Sequence, residues 1–266
     1  MSAVSWIEII SLFAAASAAG AINAIAGGGT LITFPVLILF GVTPVIANAT
    51  STLSLVVGVF GGFFGFRKLI AEIRPWLPAF LPISLLGGWI GSFLLTHGNA
   101  ETFSRLVPYL VLFATILFML QGAVRRLAAR RAADELIAGH DDLPTGGKGL
   151  LAIVFFQFLV SIYGGYFGAG IGILMLATFG ILGFSNIHRM NALKNLIGGL
   201  INVVAAVWFT LSGLIDWPRM GIMAVGALAG YYLGATYSQK LPQSMVRHMI
   251  TAIGLIITAV MFWKLR

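Results

Sequence analysis

The sequence predicts an all-α polytopic membrane protein, and three observations carry that prediction. Of its 266 residues, 59% are hydrophobic and only 9% charged, where a soluble domain carries about 25% charged residues. Apolar runs of about 20 residues, the length that crosses a bilayer as a helix, recur from end to end. The second half of the chain also replays the breaks of the first. The expected architecture is a tandem repeat of helical bundles, with about eight full transmembrane helices plus two short broken or re-entrant helices.

The first span runs from Val4 to Ala26 and stops at Gly27-Gly28-Gly29. Its stretch Ala14 to Gly20 has the small residues of a signal-peptide end. Glu8, however, stands where a basic leader region would lie, so the segment is read as a mature helix. Leu31 to Phe40 offers only about ten apolar residues and holds Pro35. That is too short to cross about 30 Å of hydrocarbon upright. Ile46 to Phe66 is long and closes on Arg67, Lys68 and Arg74. Pro75, Pro78 and Pro82 open a span that continues to Thr96; His97 to Glu101 is a polar turn, and Phe103 to Ala123 follows.

Residues 1–124 make the first transmembrane repeat, 125–148 a cytoplasmic linker loop and 149–266 the second repeat. The linker carries paired arginines and four carboxylates and reads as a solvated loop. Its start, Val124 to Ile137, is compatible with an extension of the preceding helix into water. The second repeat gives a span at Leu150 to Tyr166, a break at Gly168 to Gly170 and a short segment at Ile171 to Leu182. Longer segments follow at Ile187 to Leu211, Trp217 to Tyr237 and Ser244 to Trp263. A constant offset sets Gly28 on Gly170 and Gly41 on Gly183. One residue more sets Asn48 on Asn191, and Gly87 and Gly91 on Gly230 and Gly234.

If both short segments are re-entrant, the two halves are parallel; if both cross, the halves are inverted. The basic residues fit the two arrangements almost equally, so the positive-inside rule does not choose between them. Both put Arg67 to Arg74 and the linker in the cytoplasm.

The residues that carry chemistry cluster at the breaks. Gly27, Gly28 and Gly29 let the backbone bend, with positive φ where needed. They are expected to leave the first amides of the following short helix unpaired, and amides with a helix dipole make an anion site. Thr30 belongs to that corner, and Gly168, Gly170 and Gly172 repeat it. The plainer role of glycine, close helix packing, is assigned to Gly87-x-x-x-Gly91 and Gly230-x-x-x-Gly234. Asn48, Thr50 and Ser51 supply an amide and hydroxyls one turn into the next helix, with Asn191, Lys194 and Asn195 at the matching turn. Thr52 and Ser54 equally well satisfy their own helix. Lys194 is the one charge lying inside a predicted span, where an ionisable residue is functional by default, although a snorkelling lysine is the simpler alternative. His188 and Arg189 stand at the mouth of its segment, and His97 is read as structural. The acidic residues all lie near segment ends or in the linker. A deep positive charge with no carboxylate in mid-span points to an anion.

Several classes are excluded. There is no cysteine, hence no disulfide, thiolate metal site or cysteine nucleophile. No metalloprotease, nucleophile-elbow or P-loop motif occurs, and Gly165 to Gly172 follows a membrane helix rather than a strand. No enzyme activity, catalytic residue, metal or cofactor is expected. The net charge of +8 is gathered at segment ends, so it reports topology rather than a nucleic-acid partner. The expected partners are a small anionic substrate and the lipid bilayer, and a homo-oligomer is compatible with the sequence.

The run Ala26 to Gly41, with Pro44 and Ala47 to Ser51, resembles the N-terminal motif of the sulfite exporter TauE/SafE family. Tyr166 to Gly172, Gly180 to Gly183 and Gly213 to Trp217 resemble that family's second repeat, so the likeness covers nearly the whole chain. It implies a multi-pass permease of the bacterial inner membrane for sulfur-containing anions, with sulfite or an organosulfonate as substrate. Transport is then expected by alternating access at a site between the repeats. A sulfur-free organic acid as substrate, or a membrane-embedded component of sulfur metabolism, are the alternatives. Two departures stand out: Asn191 to Asn195 replaces the Gly-Thr-Ser-like turn of the family, and the second short segment lacks a counterpart of Pro35.

Overall fold

A computed structural model describes residues 4–25, 28–60, 73–137, 147–181, 187–237 and 243–264. Every regular element in them is helical, as a chain without water to pair its backbone requires. In order these are α1 (Trp6–Ile25), α2 (Thr30–Leu39), α3 (Pro44–Phe60), α4 (Leu77–His97), α5 (Ala100–Ile137), α6 (Gly147–Tyr166), α7 (Ile171–Ile181), α8 (Ile187–Leu211), α9 (Trp217–Tyr237) and α10 (Gln243–Lys264). A short 3-10 turn, Arg74–Trp76, leads into α4. Prolines at helix starts need no amide partner, which explains Pro44, Pro75 and Pro218 at theirs. α5 runs on to Ile137 and so carries the start of the hydrophilic stretch as helix.

Four helices are long and apolar enough by themselves to cross a bilayer, at Trp6–Asn23, Arg74–His97, Ala100–Val124 and Arg189–Leu211. Shorter apolar helices cover Thr30–Leu39, Pro44–Val59, Leu151–Tyr166 and Ile250–Trp263.

Small residues set which helices touch. Along α1 and α9, Gly226 lies against Phe13 and Ala16, Gly230 against Ser17 and Gly234 against Ala21. The pairs advance together along both helices, so α1 and α9 run parallel. α4 and α6 behave alike: Ser84 meets Gln157, Gly87 meets Ser161, and Gly91 meets Ile162 and Tyr166. A Cβ at Gly91 would strike the Ile162 carbonyl, and one at Gly230 the Ser17 carbonyl. Both glycine pairs therefore serve close packing, the main source of helix association in lipid.

α3 joins the first pair, with Thr50 beside Asp216 and Gly58 beside Ala227 and Tyr231. α8 joins the second, with Ile201 beside Gly88 and the Trp208 Nε1–H donating to Thr96 Oγ1 (2.9 Å). Two trios of co-directional helices result, α1/α3/α9 and α4/α6/α8. They run in opposite directions, because the start of α3 meets the end of α6 where Asn48 Nδ2 donates to the Tyr166 carbonyl (3.2 Å). α5 and α10 pair antiparallel, with Thr115 against Gly254 and Tyr109 against Phe262.

Each half thus lends its fourth helix to the other half's first and third. Helices matched by the sequence offset, α1 with α6, α3 with α8 and α4 with α9, point opposite ways. Of the two arrangements that the basic residues left open, the structure takes the inverted one.

The short helices begin deep inside. Gly29 lies against Ala19 and Asn23 of α1, so the chain has already folded back when α2 starts. Ten residues then rise only about 15 Å, half of a hydrocarbon layer. Gly41, at φ 79°, ends α2. Its N–H donates to the Ile38 carbonyl (3.0 Å) and that of Val42 to the Leu37 carbonyl (3.1 Å), a glycine-dependent helix stop.

Candidate functional site

The two breaks are built alike. Gly28 has φ 96° and Gly170 φ 78°, a left-handed conformation that L side chains resist. These are the glycines that the offset superposes, and each lies within two residues of the start of a short helix. Both rest on the same stretch of α5. A Cβ on Gly28 would strike the Phe118 ring, and Gly170 lies over Ala114 and Leu117. The breaks are therefore neighbours about one turn apart along one helix near the middle of the bundle. Gly168 is also left-handed, at φ 79°. Gly27 lies outside the described residues.

The expectation that the first amides are all unpaired needs correcting. The Gly29 N–H donates to Asn23 Oδ1 (2.7 Å), Leu31 to the Gly28 carbonyl (3.0 Å) and Ile32 to the Gly29 carbonyl (2.9 Å). In the second break, Ile171 donates to the Gly168 carbonyl (3.3 Å) and Ile173 to the Gly170 carbonyl (2.9 Å). These tight turns consume donors that a regular α-helix would leave open. Among the described residues, the amides of Thr30 and Gly172 have no acceptor. The offset that pairs Gly28 with Gly170 pairs Thr30 with Gly172.

α3 links the breaks. Thr33 Oγ1 lies 3.1 Å from the Gly29 carbonyl and 2.6 Å from Ser51 Oγ. One turn back along α3, Asn48 reaches the last residue of α6. Thr33, Ser51 and Asn48 are all at most 1% exposed. Asn48 Oδ1 is itself buried and has no partner among the described residues. Thr52 donates to the Asn48 carbonyl (2.8 Å) and Ser54 to the Ser51 carbonyl (2.8 Å), so both satisfy their own helix. Thr50 turns the other way and accepts the Asp216 N–H (3.0 Å), tying α3 to the turn before α9. Tyr163 steadies the second break by donating its hydroxyl to the Ala169 carbonyl (2.6 Å). Phe167 closes the gap between breaks, edge-on to Phe34 of α2 at 5.4 Å between ring centres.

On α8, Lys194 is 9% exposed. Its aliphatic stem lies over Gly172, where an added Cβ would sit 3.2 Å from Lys194 Cδ. The lysine and the open Gly172 amide thus share one corner. Asn191 is half-buried on that side of α8, whereas Asn195 is exposed.

The described carboxylates, Glu8, Glu101 and Asp216, stand near helix ends. Glu8 pairs with Arg219 (2.6 Å), which also holds Asp216, and Glu101 pairs with Arg105 (2.6 Å) in an exposed turn. His97 stacks on Phe93 at 4.0 Å, a structural contact at the end of α4. The side chain of His188 lies outside the described residues. No group of three metal-ligating side chains occurs among the described residues.

The sequence did not single out Asn23, Thr33, Tyr163 or Phe118. Thr33 carried a signal: it sits one turn after the glycine triplet in a segment otherwise apolar. Asn23 and Tyr163 also lie within six residues of the amide or carbonyl they hold. Phe118 carried none.

Oppositely directed halves, helices broken at mid-depth and apolar outer surfaces define a multi-pass membrane transporter. The chain belongs to the sulfite exporter TauE/SafE family, whose profile matches residues 12–261. It is 29% identical over 259 residues to a probable membrane transporter protein of Haemophilus influenzae, covering 95% of this chain and 93% of that protein. It is 26% identical over 250 residues to the probable membrane transporter protein YfcA of Escherichia coli K12, covering 93% and 87%. A probable membrane transporter protein of a Sinorhizobium species, ORF9, is 22% identical over 245 residues, covering 92% and 88%. No solved structure matches.

Proposed function

We propose that this protein is a secondary transporter of a small sulfur-containing oxyanion, sulfite or an organosulfonate, acting by alternating access in a bacterial inner membrane. Eight helices span the bilayer in this reading, and the short broken α2 and α7 each carry the chain back to the face where its half began, so each half makes five passes. The ends that bear Arg74 and Arg126 face the cytoplasm, following the positive-inside rule. The linker 125–148 separates the repeats 1–124 and 149–266.

One observation carries the reading. Among the described residues the amides of Thr30 and Gly172 have no acceptor, and they stand at matched helix starts, with buried Lys194 lying over Gly172. Two helix dipoles and one ammonium then converge on the proposed anion site. Ser51 and Asn48 line the wall between the breaks, and Asn191 extends the second corner. Rocking of the α1/α3/α9 trio against the α4/α6/α8 trio would open the site to each side in turn.

Flux of labelled sulfite into proteoliposomes tests the role of Lys194. At about 4 Å and an effective dielectric constant near 20, one opposite charge is worth roughly 4 kcal/mol before desolvation is subtracted. Lys194→Met is expected to raise KM at least about tenfold. Undiminished flux would remove this lysine from the site.

A further inference from the structure

One buried atom remains without a role in that reading. Asn48 is 1% exposed, and its NH2 group is committed to the Tyr166 carbonyl. That bond fixes which end of the carboxamide is which, because a carbonyl accepts only from the nitrogen. It leaves Oδ1 beside the second break with no donor among the described residues. Buried acceptors are nearly always paired, so an orphan at a proposed binding site calls for a donor brought by the ligand. The described neighbours supply none: the Ser51 and Thr33 hydroxyls are paired with each other, Thr52 donates to the Asn48 backbone, and Tyr163 donates to Ala169.

The other groups at the site ask for the opposite chemistry. Amides at Thr30 and Gly172 and the Lys194 ammonium are donors only. A fully deprotonated oxyanion would satisfy them and still leave Asn48 Oδ1 unpaired. We infer that the site takes an oxyanion carrying an O–H or N–H donor beside its negative oxygens, and that Asn48 Oδ1 reads that donor. This rests on the anion site proposed above and deepens it by specifying the substrate. A monoprotonated oxyanion meets the requirement, as does a sulfonate with a neighbouring hydroxyl. A dianion without a proton, or a plain alkanesulfonate, does not. Leaving a buried acceptor unpaired is the strong form of discrimination, more effective than adding a contact.

The test compares 2-hydroxyethanesulfonate with ethanesulfonate by calorimetric titration of the purified protein. Both are monoanions at neutral pH and differ in one hydroxyl. The wild type is expected to bind the hydroxylated ligand about tenfold more tightly. In Asn48→Leu, and separately in Asn48→Ser to guard against misfolding of the first, the ratio should fall to about one. Thermal unfolding reports whether each variant is folded. Equal affinities in the wild type would overturn the inference while leaving the anion site standing. A preference that survives both substitutions would overturn the role of Asn48. Binding of neither sulfonate, nor of sulfite, would overturn the anion site itself.

Discussion

Gly28 and Gly170 hold the same left-handed backbone against one face of one helix, Gly28 over Phe118 and Gly170 over Ala114 and Leu117 of α5. They come from opposite halves of the chain, and the helices they begin run in opposite directions. The central feature of the molecule is therefore a shared seat on α5 for two helix breaks, which neither half could make alone.

That seat can be tested residue by residue. Gly170→Ala forces an L residue into the left-handed region, costing about 1–2 kcal/mol. Gly28→Ala adds a clash with the Phe118 ring, and overpacking costs a further 1–3 kcal/mol or so. Thermal unfolding in detergent should rank Gly28→Ala below Gly170→Ala, and both below the wild type. An unchanged melting temperature for Gly28→Ala would contradict the described backbone.

The packing seams make a sharper contrast. Gly91 and Gly230 touch backbone of the neighbouring helix, whereas Gly199 and Gly221 have nothing within 4 Å of an added Cβ. Gly91→Ala and Gly230→Ala are expected to destabilise by about 1–3 kcal/mol. Gly199→Ala and Gly221→Ala, in helices with open space, should be neutral or stabilising by up to about 1 kcal/mol. Equal effects at all four positions would mean that the α1–α9 and α4–α6 seams are not as described.

The inverted arrangement predicts sidedness. The chain has no native cysteine, so single cysteines can be placed without further change. Asn99→Cys and Ser212→Cys should react with a membrane-impermeant maleimide from the same side of intact cells, the outside. Arg74→Cys and Arg126→Cys should react only after the membrane is opened. Parallel halves would put positions 99 and 212 on opposite sides.

Much of this was legible in the sequence for physical reasons. The helical class follows from hydropathy alone. The short segments were visible because Gly27-Gly28-Gly29 and Gly168 to Gly170 interrupt runs that would otherwise continue. Their bounds fell within a residue or two of α2 and α7, since glycine and proline punctuate helices locally. The direction of the halves was hidden. Orientation signals come from loop charges, and the basic residues of this chain lie near both faces. The exchange of α4 and α9 between halves was hidden for another reason: a small-residue pair announces a close contact but not its partner. Side-chain direction was hidden too. Ser51 turns to Thr33 and Thr50 to Asp216, and only packing against α2 and α9 decides which hydroxyl faces which. Lys194 emerged because a lysine about seven residues inside a predicted span is costly wherever it points.

The account stands or falls on whether the paired breaks bind a sulfur oxyanion for transport. Uptake of labelled sulfite into proteoliposomes of the purified protein, competed by unlabelled sulfite, alkanesulfonates, hydroxyalkanesulfonates and simple carboxylates, measures this most directly. The prediction is saturable uptake, inhibited by sulfite and hydroxyalkanesulfonates at concentrations at least about tenfold below those at which acetate acts. Absence of protein-dependent sulfite uptake, or inhibition by carboxylates as strong as by sulfite, would contradict it.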